Sequence, residues 1–199
     1  LKYIQKIIIN MKSFYTEEEL KNLNFKSIGN NCLISRNAIF YNISKISIGN
    51  NTRIDDFCVI SAGDGGIEIG NYIHISVFCS IQGNGKIKIG DFSGLSSKTS
   101  VYSSNDDYLG EFMTNPMVPK KYTNVTEADV IIKKHVIVGS GSVILPGVTL
   151  NDGVAIGSLS LVKKDCEEFC IYFGTPCKKI GERSRNLLKL ESYFISDSN

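Results

Sequence analysis

The chain has 199 residues, 42% of them hydrophobic, enough for the core of one domain or a small pair. Its 22 basic and 20 acidic side chains leave a net charge of +2, which gives no electrostatic footprint for nucleic acid. No apolar run approaches the length of a membrane span, and the apolar stretch within residues 1–10, Ile7 to Ile9, is too short for a secretory signal. Met11 is a candidate natural start, with the first ten residues as upstream sequence.

Thr16-Glu17-Glu18-Glu19 before Leu20 has the spacing of a capping box and predicts a short helix. After it, aliphatic residues recur every six positions in blocks of three: Ile28, Ile34, Phe40; Ile48, Ile54, Ile60; Ile69, Ile75, Ile81; Ile89, Leu95, Val101; Ile132, Val138, Ile144; Leu150, Ile156, Val162. A period of six suits neither a helix nor a simple amphipathic strand. It suits a short strand and a tight corner, repeated. Ile46, Ile67, Ile87 and Val130 precede marked residues by two, as strand alternation requires, so the marked residues should point inward. Gly follows at positions 29, 49, 70, 90, 139 and 157, often with Asn or Asp next, and both tolerate the positive φ of a turn.

Three strands and three corners make one triangular coil, and six coils stack into a parallel β-helix whose ends need caps. Small residues stand four after the marked ones, among them Cys32, Cys58 and Cys79, and should fill the corners. The expected organisation is an N-terminal segment over 1–27, the β-helix over 28–165, and an extension with a helix over 166–199. Ile180, Leu187, Leu188, Glu191, Phe194 and Ile195 are read as one face of that last helix. Cys166, Cys170 and Cys177 lack zinc-ligand spacing, and reduced thiols point to a cytoplasmic protein without a metal. Two histidines also fall short of the three that a β-helix carbonic anhydrase needs for zinc.

One long interruption, residues 102–129, breaks the repeat. Loops of this length on a rigid scaffold usually carry function. It holds Asp106, Asp107, Glu111 and Asn115 with Tyr102, Tyr108, Phe112 and Tyr122, a mixture of carboxylates and rings that suits a sugar.

The repeat, ILPGVTL at Ile144–Leu150, IGSLSLVKKD at Ile156–Asp165 and GTPCKKI at Gly174–Ile180 resemble the hexapeptide-repeat acyltransferases, in particular the sugar acetyltransferases. The resemblance implies a left-handed parallel β-helix, a homotrimer with clefts between neighbouring prisms, and acetyl-CoA laid along the last coils. Tyr72, Phe78 and Phe92, expected outside, would suit the interface. It assigns Ser142 and Ser160 to backbone contacts with the pantetheine arm, and Lys163, Lys164 and Lys178 to the phosphates. It also exposes a departure. Where the galactoside branch places its basic histidine, this chain has Asp106, and the insertion contains no histidine.

His74, one before inward Ile75, should face outward, and the nucleotide-aminosugar N-acyltransferases carry a similar His-Ile step. His135 falls at a corner, where polar residues are mostly solvated. The expected catalytic pair is therefore His74 and Asp106, with Asp107, Glu111, Tyr102 and Asn115 binding the acceptor. An amino acceptor sheds one proton from its ammonium form, and a carboxylate can orient it, so Asp106 favours an aminosugar over a hydroxyl. The expected activity is acetyl-CoA-dependent acetylation of a sugar or nucleotide-linked aminosugar for surface polysaccharide. The alternatives are transfer of a longer acyl group and a non-catalytic β-helix binding module.

Overall fold

The computed structural model describes residues 13–197, so the readings of residues 1–10 and of Met11 lie outside the described residues. Helix α1 (Glu17–Lys21) opens with the expected capping box: the Thr16 hydroxyl accepts from the Glu19 amide at 3.3 Å, and the Glu19 carboxylate accepts from the Thr16 amide at 2.7 Å. Its Leu20 is buried in the apolar interior.

Three parallel sheets form the walls of a prism. The first runs from Ser27–Ile28 to Thr149–Leu150, the second from Leu33–Ile34 to Cys170–Gly174, and the third from Ile39–Tyr41 to Leu161–Val162. Six coils are complete and a seventh is begun: Cys170–Gly174 pairs with Ala155–Ile156, then reverses into antiparallel Cys177–Glu182. The marked residues stack in register, with Ile48 on Ile69 on Ile89, Ile54 on Ile75 on Leu95, and Ile60 on Ile81 on Val101. All of them are buried except Ile28 and Phe40 in the first coil. Each buried aliphatic side chain contributes about 1.5–3 kcal/mol, so these files make the prism's interior.

The small residues fill the corners as expected, and Cys32, Cys58 and Cys79 are buried there with free thiols. The Cys58 thiol donates to the Ser76 carbonyl at 3.0 Å, and the Thr52 hydroxyl to the Gly70 carbonyl at 3.0 Å. Corner hydrogen bonding therefore satisfies the polar groups that the stacking buries.

The recurrent Gly-Asn step has a different cause from the one expected. None of Gly29, Gly49, Gly70, Gly90, Gly139 and Gly157 has a positive φ. They are glycine because the next coil is too near: a Cβ on Gly139 would lie 2.4 Å from the Ser158 amide nitrogen, and one on Gly49 2.6 Å from the Gly70 oxygen. The following Asn or Asp reaches along the prism, so the Asn30, Asn50 and Asn71 amides donate to Asn50, Asn71 and Asp91 Oδ1, each at 2.8 Å. The left-handed backbone falls three residues after the inward one, at Asn51, Phe57, Tyr72, Phe78, Phe92, His135 and Leu159 among others.

Helix α2 (Asn186–Asp197) packs back along the corner between the first and second sheets. Tyr72 stacks on Phe92 at 4.9 Å and Phe92 on His135 at 5.1 Å, with Phe194 edge-on to Tyr72 at 5.2 Å. His135 is thus a corner residue, but its side chain is mostly buried and its Nε2 bonds Glu191 at 2.7 Å. Lys134 pairs with the same carboxylate. Burial pushes the Glu191 carboxyl up, and Lys134 and His135 outweigh it, leaving it below the usual range. Two expectations change accordingly. Tyr72 and Phe92 meet the chain's own helix, although Tyr72 stays partly open to solvent, while Phe78, stacked on Phe57 at 5.2 Å, is the most exposed of the three. Ile180 belongs to the strand Cys177–Glu182 and not to the helix.

The glycine contacts give a direct test. Gly139→Ala should destabilise the fold by about 1–3 kcal/mol in chemical denaturation, as overpacking does. Gly181→Ala, where a Cβ meets nothing within 4 Å, should change little.

Candidate active site and cofactor pocket

His74 projects from the outer surface of the second sheet, with Ile75 behind it fully buried. Register places Arg53 on one side of it and Gly94 on the other. Asp55, almost fully buried, joins the first two: Oδ2 lies 2.8 Å from His74 Nε2, and Oδ1 accepts from Arg53 Nε at 2.7 Å. Burial pushes the Asp55 carboxyl up, but the bonds from His74 and Arg53 prevail and hold it below the usual carboxylate range. A carboxylate only accepts, so Asp55 fixes the proton of a neutral imidazole on Nε2 and leaves Nδ1 as the free nitrogen.

Gly94 differs from the corner glycines. The nearest atom to a Cβ there is the His74 oxygen at 3.9 Å, so the position has room for a side chain and does without one. The space opens a cleft of about 310 Å³ lined by His74, Ser76, Gly94, Ser96, Ser97 and Ile137, with the Ser76 and Ser97 hydroxyls 3.0 Å apart. Arg53, Asp55, Gly94 and the serines escaped the sequence reading. Aligning the triplets coil on coil would have set Arg53 beside His74, but Asp55 lies one step past an inward residue, and its burial depends on the corner.

Asp106 lies elsewhere. It follows Ser104–Asn105, which pairs antiparallel with Thr126–Glu127 at the base of the insertion, and it is exposed without a hydrogen bond or ion pair among the described residues. The insertion leaves the corner between the third and first sheets, opposite the wall that carries His74. Within one chain the two expected catalytic residues do not meet. Glu111 is also exposed. Asp107 accepts from the Leu109 and Phe112 amides at 3.0 and 2.9 Å, bonds that hold its carboxyl below the usual range, and Asn115 accepts from the Met117 amide at 3.0 Å. Both shape the insertion. Tyr102 is half-buried at the insertion's root, beside a second pocket.

The three expected phosphate lysines do converge. Lys163, Lys164 and Lys178 line one pocket of about 280 Å³ with Asp165, Cys166 and Tyr172. None of the three has an ion pair among the described residues, whereas neighbouring Lys179 is held by Glu167 at 2.9 Å. Three ammonium groups without ion pairs at one mouth, beside the single carboxylate of Asp165, would favour an anion there. Ser142 and Ser160 lie inside the prism instead. Both hydroxyls donate to the Gly157 carbonyl, the Ser160 amide donates to Ser142 Oγ at 3.2 Å, and both carbonyls accept from the adjacent coil. Their polar groups serve coil stacking. Among the described residues no group of three or more His, Cys, Asp or Glu is placed to hold a metal, and no helix is long and apolar enough to cross a membrane.

No protein-family model matches the chain. A dTDP-4-amino-4,6-dideoxy-D-glucose acyltransferase of Escherichia coli is 55% identical over 182 residues, 92% of this chain and 95% of that protein. The chain belongs to the hexapeptide-repeat acyltransferases. It is an acyltransferase, its donor is a CoA thioester, and its prism is the left-handed parallel β-helix of that family. The N-acyltransferase AntD of Bacillus cereus, solved with dTDP and 3-hydroxybutyryl-CoA, covers 95% of this chain at 44% identity with a TM-score of 0.91. A serine-to-cysteine mutant of AntD has also been solved with dTDP-4-amino-4,6-dideoxyglucose and coenzyme A, at 43% identity and a TM-score of 0.90. A galactoside acetyltransferase solved with coenzyme A, 23% identical with a TM-score of 0.57, shares the fold.

Asp55 carries a pH signature. A carboxyl depressed by folding stabilises the protein above its unfolded value, and that stability is lost as pH falls through the folded value. The stability advantage of wild type over Asp55→Asn should therefore shrink below about pH 4, as read by urea unfolding across pH 3–7.

Proposed function

We propose that this acyltransferase moves an acyl group from CoA to the amine of a dTDP-linked 4-amino-4,6-dideoxyhexose, within a homotrimer in the cytoplasm. The 55% identity to the Escherichia coli enzyme along nearly the whole of both chains carries the reading. The pocket lysines and the buried Asp55 behind His74 support it from this chain's own residues. Six free cysteines fit the reducing compartment in which CoA thioesters and nucleotide sugars are used. The acyl group is acetyl or a longer chain, and surface polysaccharide is the proposed destination of the product.

In the transfer, the acceptor nitrogen attacks the thioester carbonyl, the C–S bond breaks, and the CoA thiolate leaves. Nδ1 of His74 takes a proton from the ammonium so that the nitrogen lone pair is free. Asp55, bonded through Nε2, stabilises the imidazolium, which gives this first proton to solvent, and the second N–H proton, acidified once the nitrogen has attacked the carbonyl, goes to the departing thiolate. Lys163, Lys164 and Lys178 hold the donor's phosphates. Asp106 orients the acceptor amine in the cleft of a neighbouring copy, since His74 and the insertion occupy opposite sides of one prism.

A base in this role contributes about 10²–10⁴-fold. His74→Gln should lower kcat/KM by about a hundredfold or more, and Asp106→Asn should also lower it, in an assay of thiol release from acyl-CoA. If each site takes His74 and Asp106 from different copies, trimers refolded from an equal mixture of the two variants regain about a quarter of wild-type activity. No recovery would place both residues in one chain's site. Replacing Lys163 and Lys178 together by Ala should raise KM for acyl-CoA about tenfold or more by removing two charge-assisted phosphate contacts.

A further inference from the structure

The third sheet carries a file of outward side chains that the transfer above does not use. Tyr41, Ser61, Gln82 and Tyr102 stand in register on successive coils. Strand neighbours are about 4.8 Å apart, so these groups form a continuous strip. Where the strip meets the corner lies an opening of about 360 Å³, lined also by Asn42, Gly63, Gly83 and Asn84.

The pocket's polar groups divide into two sets. Asn42 donates to the Ala62 carbonyl at 2.7 Å and Asn84 to Glu127 at 2.7 Å, so both amides are spent on holding the corner. The side chains of Gln82, Ser61 and Tyr102 make no hydrogen bond among the described residues, although all three are half-buried. Half-buried polar groups without partners, on a rigid sheet, are set to receive a ligand. A free carboxamide offers a donor and an acceptor side by side, which is the complement of a nucleobase edge. Tyr102, the next residue in the file, supplies an aromatic face at stacking distance.

We propose that this pocket receives the nucleobase of the nucleotide-linked acceptor, with Gln82 bonding the base edge and Tyr102 lying against its face. The proposal rests on the acceptor reading above and adds the residues that recognise its nucleotide half. Chain geometry agrees with it. Asp106 lies four residues beyond Tyr102, which is a reach of up to roughly 14 Å, long enough for a ribose and diphosphate to separate the base from an amine at Asp106. Lys45 holds the Asp64 carboxyl below its usual range and Lys120, from the insertion, adds a smaller pull in the same direction, while the Lys120 ammonium has no ion pair among the described residues. It would stand beside the diphosphate.

The test is calorimetric titration of dTDP, without acyl-CoA, into the full-length protein and its Gln82→Ala, Gln82→Glu and Tyr102→Ala variants. The expected result is dTDP affinity weakened tenfold or more in each variant, with KM for the nucleotide aminosugar raised to match. KM for acyl-CoA and the thermal midpoint should stay at wild-type values, since all three side chains point out of the prism. Unchanged dTDP affinity in the variants would overturn the pocket assignment and leave the acceptor reading intact. A wild type that turns over an unlinked sugar and does not bind dTDP would overturn the acceptor reading and the pocket together.

Discussion

Stacking in register is the constraint on which everything else depends. A coil of three short strands buries little by itself, so each inward aliphatic residue is paired with its counterpart above and below. That requirement sets the corners. The glycines that follow the inward residues are there because neighbouring backbones leave no space for a Cβ, and the Asn or Asp beside them ties one coil to the next. A fixed spacing along the axis also turns sequence position into spatial position. Residues one coil apart become neighbours, and a file of them becomes a surface.

The proposed chemistry uses that property three times. On the second wall, the register aligns Arg53, His74 and Gly94, and the glycine opens the cleft in which the imidazole is reached. At the last coils, the hairpin that follows Tyr172 brings Lys178 back to Lys163 and Lys164. On the third wall, the same register sets Gln82 against Tyr102. These features lie on different faces of one rigid prism. Bringing His74 and Asp106 to one acceptor therefore takes a second prism, which gives the proposed trimer a chemical reason.

Much of this was legible in the chain, because a six-residue period leaves few choices. It placed Ile75 inside and His74 outside, and it put Cys32, Cys58 and Cys79 among the small corner residues. The three lysines were legible through the C-terminal motifs that resemble the acyltransferases. Burial was harder to read. His135 looked like a solvated corner residue because the repeat says nothing of helix α2, which folds back over it. Ser142 and Ser160 looked available to a cofactor because hydrogen bonds between coils have no mark in the sequence.

The sequence by itself determined the prism, its register, the direction of each strand residue and the place of the insertion. Those properties follow from local periodicity and from the size of residues that a corner admits. Only the tertiary structure decided that Asp55 holds His74, that α2 packs against Tyr72 and Phe92, and that His74 and the insertion lie on opposite sides. Each of these is a meeting between residues on different turns or elements. Such meetings depend on side-chain direction and corner shape, quantities that a one-dimensional repeat does not contain.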